Sequence, residues 1–97
     1  MKRLTTTLAA LALSLTPALA APPTAEQKAE FLKTCIGISQ NQPLCTCKAD
    51  AAMTLVDTEF MAVIIKSMRG AAPPSEYDVP YNDYIAASTR VCGMGGI

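Results

Sequence analysis

The sequence predicts an all-α fold, a small disulfide-stabilised bundle of about four short helices. Three observations carry that expectation. Apolar side chains recur at helical spacing through most of the chain beyond residue 24, and no run alternates with the period of two that marks a strand. Four cysteines fall in a chain too short for its stability to rest on burial alone.

Residues 1–20 stand apart from this pattern. Lys2 and Arg3 form a short basic start, Leu4 to Leu15 is uncharged, and Pro17 breaks the stretch just before Ala18-Leu19-Ala20. These are the basic, apolar and small-residue parts of a cleavable signal peptide. The apolar stretch is shorter than the roughly 20 residues that span a bilayer. No cysteine follows Ala20 directly to carry a lipid anchor. The expectation is a signal peptide at 1–20, a single helical domain at 21–97, and a periplasmic or secreted product that is not membrane-embedded once mature.

The first helix is expected near 25 to 39. Thr24 stands three residues before Gln27 in a capping-box pattern, and Ala25, Ala29, Leu32 and Ile36 with Phe31, Cys35 and Ile38 fill one broad face. Ser39 to Pro43 is a turn, with Pro43 suited to the first helical position of a second helix near 43 to 56. That helix places Leu44, Cys47, Ala51 and Leu55 on one stripe and Cys45, Ala49, Ala52 and Val56 on another, so a central place in the bundle is expected.

Asp57 is placed to cap a third helix near 58 to 69, with Glu59 at its start and Lys66 and Arg69 near its end, as the helix dipole favours. Its buried face reads Phe60, Met61, Ile64, Ile65 and Met68, and Gly70 closes it. A loop is expected from Ala71 to Val79. The fourth helix then starts at Pro80, carries Tyr81, Tyr84, Ile85, Ser88, Val91 and Cys92 at i, i+3, i+4, i+7 spacing, and ends at Gly93. Residues 94–97 form a Gly-rich end.

All four cysteines, Cys35, Cys45, Cys47 and Cys92, lie beyond residue 20, and an even number in an exported chain reads as two disulfides. Cys35 and Cys47 are equally far from Asn41, so a hairpin pivoting there favours Cys35–Cys47 with Cys45–Cys92. Cys35–Cys45 with Cys47–Cys92 is the main competing pattern. A Cys45–Cys47 bond would disrupt the helix that carries both.

Two functional readings compete with a purely structural role for Cys45-Thr46-Cys47. One is a redox dithiol, near a helix N-terminus and Lys48, which would lower a thiol pKa. The other is a Cu(I) site of thiolates and thioethers, for which Met94 beside Cys92 is the best-placed methionine, Met53, Met61 and Met68 reading as core. No cofactor is required by any motif.

Composition excludes more than it assigns. Beyond residue 20, eight acidic side chains oppose six basic ones, and the basic ones (Lys28, Lys33, Lys48, Lys66, Arg69, Arg90) are scattered singly. Nothing resembles the basic face that nucleic acid requires. Histidine is absent, which removes the usual base of Ser-His-Asp or Cys-His catalysis, and no phosphate loop or nucleophile elbow is present. Asp57, Glu59, Glu76, Asp78 and Asp83 fit helix starts and a solvated loop. A non-enzymatic protein is expected.

The pattern Phe31-x3-Cys35-x9-Cys45-x-Cys47, followed by Asp57-Thr58-Glu59-Phe60, resembles that of short exported Cys-containing helical proteins of proteobacteria, mostly uncharacterised. The resemblance spans about residues 31 to 68. There is a fainter similarity to periplasmic immunity proteins of the type VI secretion system, which neutralise a toxin by binding it. This resemblance implies location and a helical fold, and no active-site residue. The expected function is therefore a binding or interaction module with a protein partner, for which Tyr77, Tyr81 and Tyr84 around Pro73-Pro74 are the candidate partner surface. In a competing reading Tyr81 and Tyr84 are core residues with wet hydroxyl tips.

Overall fold

The computed structural model describes residues 20–93. The signal-peptide reading, apart from Ala20, the Gly-rich end and Met94 lie outside the described residues. Within them the fold is all-α: α1 (Ala25–Ser39), α2 (Gln42–Leu55), α3 (Thr58–Met68) and α4 (Asp78–Cys92), with a 3-10 turn at Ser75–Tyr77 leading into α4.

The starts of α1, α2 and α3 are each fixed by a side chain that satisfies an otherwise unpaired N–H of the first turn. At α1 the capping box is complete: Gln27 N donates to Thr24 Oγ1 and Thr24 N to Gln27 Oε1, both at 3.0 Å. Asn41 Oδ1 accepts from Leu44 N at 3.1 Å and Asp57 Oδ1 from Phe60 N at 2.8 Å, opening α2 and α3. Helix α4 begins at Asp78, earlier than expected. Pro80 sits inside its first turn, where the missing N–H has no helical acceptor to lose. Gly70, at φ +105°, ends the descent from α3 in a conformation that glycine adopts without strain.

Helix α1 packs on both α2 and α3, and α2 also packs on α4. Helix α2 holds the central place expected of it, with α1 beside it carrying α3. Phe31 and Cys35 of α1, Cys45, Ala49 and Ala52 of α2, and Met61, Ile64 and Ile65 of α3 form the core, with Val56 and Tyr84. The small residues of α2 let its neighbours approach closely. Lys28–Asp50 and Arg69–Glu30 ion pairs, each 2.6 Å, join α1 to α2 and α3 to α1 on the surface. Such exposed pairs contribute little to stability.

Some residues assigned to buried faces lie outside the core. Ala25 and Ala29 are exposed, as are Ile38, Leu55 and Val91. The last three sit at or near helix ends, where a helical stripe continues in sequence after the neighbouring helix has stopped covering it.

The disulfides are Cys35–Cys45 and Cys47–Cys92, each with Cα atoms 5.7 Å apart. This corrects the favoured pattern of Cys35–Cys47 with Cys45–Cys92. The hairpin pivots at Gln40, which adopts the left-handed conformation (φ 54°) that ends α1, and not at Asn41. About Gln40 the equidistant cysteines are 35 and 45. Cys47, about 200° around α2 from Cys45, faces away from α1 and meets α4.

Candidate functional site

The two disulfides differ in setting. Cys35 and Cys45 have no exposed surface, and Ser39 Oγ lies 3.2 Å from Cys45 Sγ. Cys47 and Cys92 are half-buried. Cys45 and Cys47 are thus each bonded to a different partner, and no free cysteine remains among the described residues.

Beside Cys47–Cys92, the seam between α2 and α4 holds a polar centre. Lys48 and Ser88 are both fully buried. Lys48 Nζ donates to Ser88 Oγ at 3.3 Å and to Thr89 Oγ1 at 3.4 Å, while Ser88 Oγ donates to Ile85 O of its own helix. No carboxylate forms an ion pair with Lys48 among the described residues. Loss of water around the amine lowers its pKa from the ordinary 10.5. Burial thus weakens the hold of the amine on its proton.

In the sequence Lys48 reads only as a cation near Cys45. Its burial had a signal: Cys45, Lys48, Ala49 and Ala52 fall at i, i+3, i+4 and i+7, one continuous helical stripe. Lysine stems commonly lie along apolar surface with the amine in water, and here the hydroxyls of Ser88 and Thr89 take the place of water.

An aromatic cluster joins α3 to α4. The Phe60 ring centroid lies 5.0 Å from that of Tyr77 and 6.3 Å from those of Tyr81 and Tyr84, and Tyr81 and Tyr84 meet edge to face at 6.4 Å. These are the spacings at which aromatic quadrupoles attract. Tyr84 is 4% exposed and its Oη has no hydrogen-bond partner. Burial pushes its pKa up to about 12; the nearby Ser88 hydroxyl opposes that rise and Tyr81 adds to it. The Tyr84 tip is buried and not at the solvent, so Tyr84 is a core residue, as the competing reading had it, and not part of the exposed surface.

Tyr77 and Tyr81 are half-buried, and Val79 between them is 69% exposed. The Tyr77 hydroxyl is raised above its ordinary value by partial loss of water, then by the Glu59, Asp57 and Glu76 carboxylates. Tyr77, packed on Phe60, therefore lies beside an acidic group of side chains.

Among the described residues no three His, Cys, Asp or Glu side chains converge as a metal site, and no helix is long and apolar enough to cross a membrane. No family model matches the chain, and neither does any curated protein or solved structure.

Proposed function

We propose that the chain is exported by a cleaved leader and acts in the periplasm, or outside the cell, as a non-catalytic binding module for a protein partner, of an immunity- or inhibitor-like kind. One observation supports this reading above others. The reactive groups are closed inside the bundle, Lys48, Ser88 and Tyr84 by burial and the cysteines by bonding, while at the start of α4 Val79 stands exposed and Tyr77 and Tyr81, its neighbours in sequence, are half-buried. Aromatic side chains beside aliphatic surface are the usual anchors of protein interfaces. The similarity to immunity proteins that neutralise a toxin by binding it agrees with such a surface.

The test is site-specific photo-crosslinking in the exporting cell, with the photoreactive side chain at Val79 and, as a control, at the exposed Lys33 of α1. A discrete adduct from position 79 that disappears in Tyr77→Ala/Tyr81→Ala supports the module. Equal crosslinking from both positions, or none from either, removes it.

The half-exposed Cys47–Cys92 bond supports one second reading, thiol–disulfide exchange with an external dithiol. Turnover of a dithiol substrate by the exported protein, abolished in Cys47→Ser/Cys92→Ser, would favour that reading over the first.

A further inference from the structure

The residues just before α1 are built into the fold. Thr58, the first residue of α3, donates its backbone N–H to Ala21 O at 2.9 Å, and its hydroxyl lies 3.1 Å from Ala21 O and 2.7 Å from Pro22 O. Gln27 of α1 closes the arrangement from the other side, its Nε2 donating to Thr58 O at 2.9 Å. Pro23 is buried. Residues 21–23 are thus fastened by backbone and side-chain bonds to an element more than thirty residues away in sequence.

Ala20 and Ala21 also line one wall of a cavity of about 450 Å³ whose other walls are Asp57, Thr58 and Glu59. In the unprocessed chain the group between Ala20 and Ala21 is a neutral amide. Hydrolysis there adds one water: the C–N bond breaks, the carboxylate leaves with Ala20, and the nitrogen stays on Ala21 as an ammonium.

We propose that Ala21–Pro23 is a docking strap for the processed chain end, in which the new Ala21 ammonium is held between the Asp57 and Glu59 carboxylates and fastens the mature N-terminus to α3. The proposal rests on the export reading above, with cleavage after Ala20. Two features make the site specific for this end. The carbonyls of Ala21 and Pro22 are already bound, so the nitrogen of Ala21 has little freedom to leave the cavity. The charged residues that line the cavity are Asp57, which caps α3, and Glu59 in its first turn, and their field also reaches the Tyr77 hydroxyl. A chain end one residue longer would keep the Thr58 bonds and move its ammonium away from Ala21, and one residue shorter would lose the Ala21 carbonyl that Thr58 binds.

The experiment uses the full chain, exported and recovered from the periplasm, with its intact mass measured first. The Ala21 methyl resonance is then followed against pH to read the α-amine pKa. An ordinary α-amine titrates at about 7.7–8.0; the strap predicts a value above that range, returning toward it in Glu59→Gln, and in Asp57→Asn, where the amide oxygen still caps Phe60. Thr58→Val, which keeps the backbone donor and removes the hydroxyl, should lower it as well. A mass showing no cleavage, or cleavage elsewhere, overturns the export premise and the strap with it. Cleavage after Ala20 with an α-amine at or below the ordinary range, or one indifferent to both carboxylate substitutions, overturns the strap alone.

Discussion

Lys48 Nζ and Ser88 Oγ meet at 3.3 Å across the α2–α4 seam, both residues without exposed surface. A buried ammonium held only by hydroxyls is a net cost that the rest of the bundle offsets, because its desolvation is not repaid by an opposite charge. Lys48→Met keeps the volume and removes the charge, and Ser88 retains its own bond to Ile85 O. The variant should be at least as stable as the parent at pH 7, by about 1 kcal/mol, the low end of the return for replacing a buried charged group by a hydrophobe. The sign with pH follows from the lowered pKa: between the folded value and 10.5 the unfolded chain binds more protons, so the parent gains stability as pH rises through that window. Urea denaturation at pH 7 and 10 should show that gain in the parent and its loss in the variant.

Tyr84 carries the opposite linkage. Its folded pKa of about 12 lies above the ordinary 10.0, so its contribution is fully present below pH 10 and is lost as pH rises toward 12. Tyr84→Phe removes a buried hydroxyl that has no partner and should be neutral to stabilising, by about 1 kcal/mol. In an ultraviolet titration the last of the three tyrosines to ionise should disappear in this variant.

The two disulfides should separate under limiting reductant. Cys47–Cys92, half-buried, should open first, and Cys35–Cys45, fully buried, only as the bundle unfolds. Loop-closure entropy assigns about 4 kcal/mol to the bond with sequence separation 45 and about 3 kcal/mol to the one with separation 10. Cys47→Ser/Cys92→Ser should therefore lose more stability than Cys35→Ala/Cys45→Ala, unless the cavity left at the buried pair adds more than about 1 kcal/mol. Thermal unfolding of the two variants compares them directly.

Gln40 holds the left-handed conformation at φ 54° in the turn that sets the disulfide pairing. A residue with a Cβ pays about 1–2 kcal/mol there, part of which is offset by the greater freedom of glycine in the unfolded chain. Gln40→Gly should stabilise the protein by up to about 1 kcal/mol without changing the pairing, as read by thermal unfolding and a peptide map.

The helices were legible because their signals are local. Thr24 and Asp57 sit just before helix starts and bond three residues on, and spacing alone reports such contacts, whereas Asn41, read as part of a turn, proves to be the cap of a helix that starts at Gln42, one residue before Pro43. The pairing of Cys45 was less legible because it depends on where the backbone reverses. One residue's difference in the pivot, Gln40 against Asn41, exchanges the partners of all four cysteines. Burial at helix ends was misread for a related reason: Ile38, Leu55 and Val91 continue an apolar stripe, and only the tertiary arrangement says where the covering helix stops. The polar seam was legible in part, since Lys48 shares a stripe with Cys45 and Ala49, but its hydroxyl partners come from α4, forty residues away. The strap at Ala21–Pro23 had no sequence signal, because its partner is a single threonine at the start of α3.

The most direct test of this account is to export the chain, alkylate free thiols under denaturing conditions, and map the unreduced peptides. The account predicts no labelled thiol before reduction, four after it, and cross-linked peptides joining Cys35 to Cys45 and Cys47 to Cys92. Thiols labelled without reduction, or peptides joining Cys35 to Cys47, would contradict it.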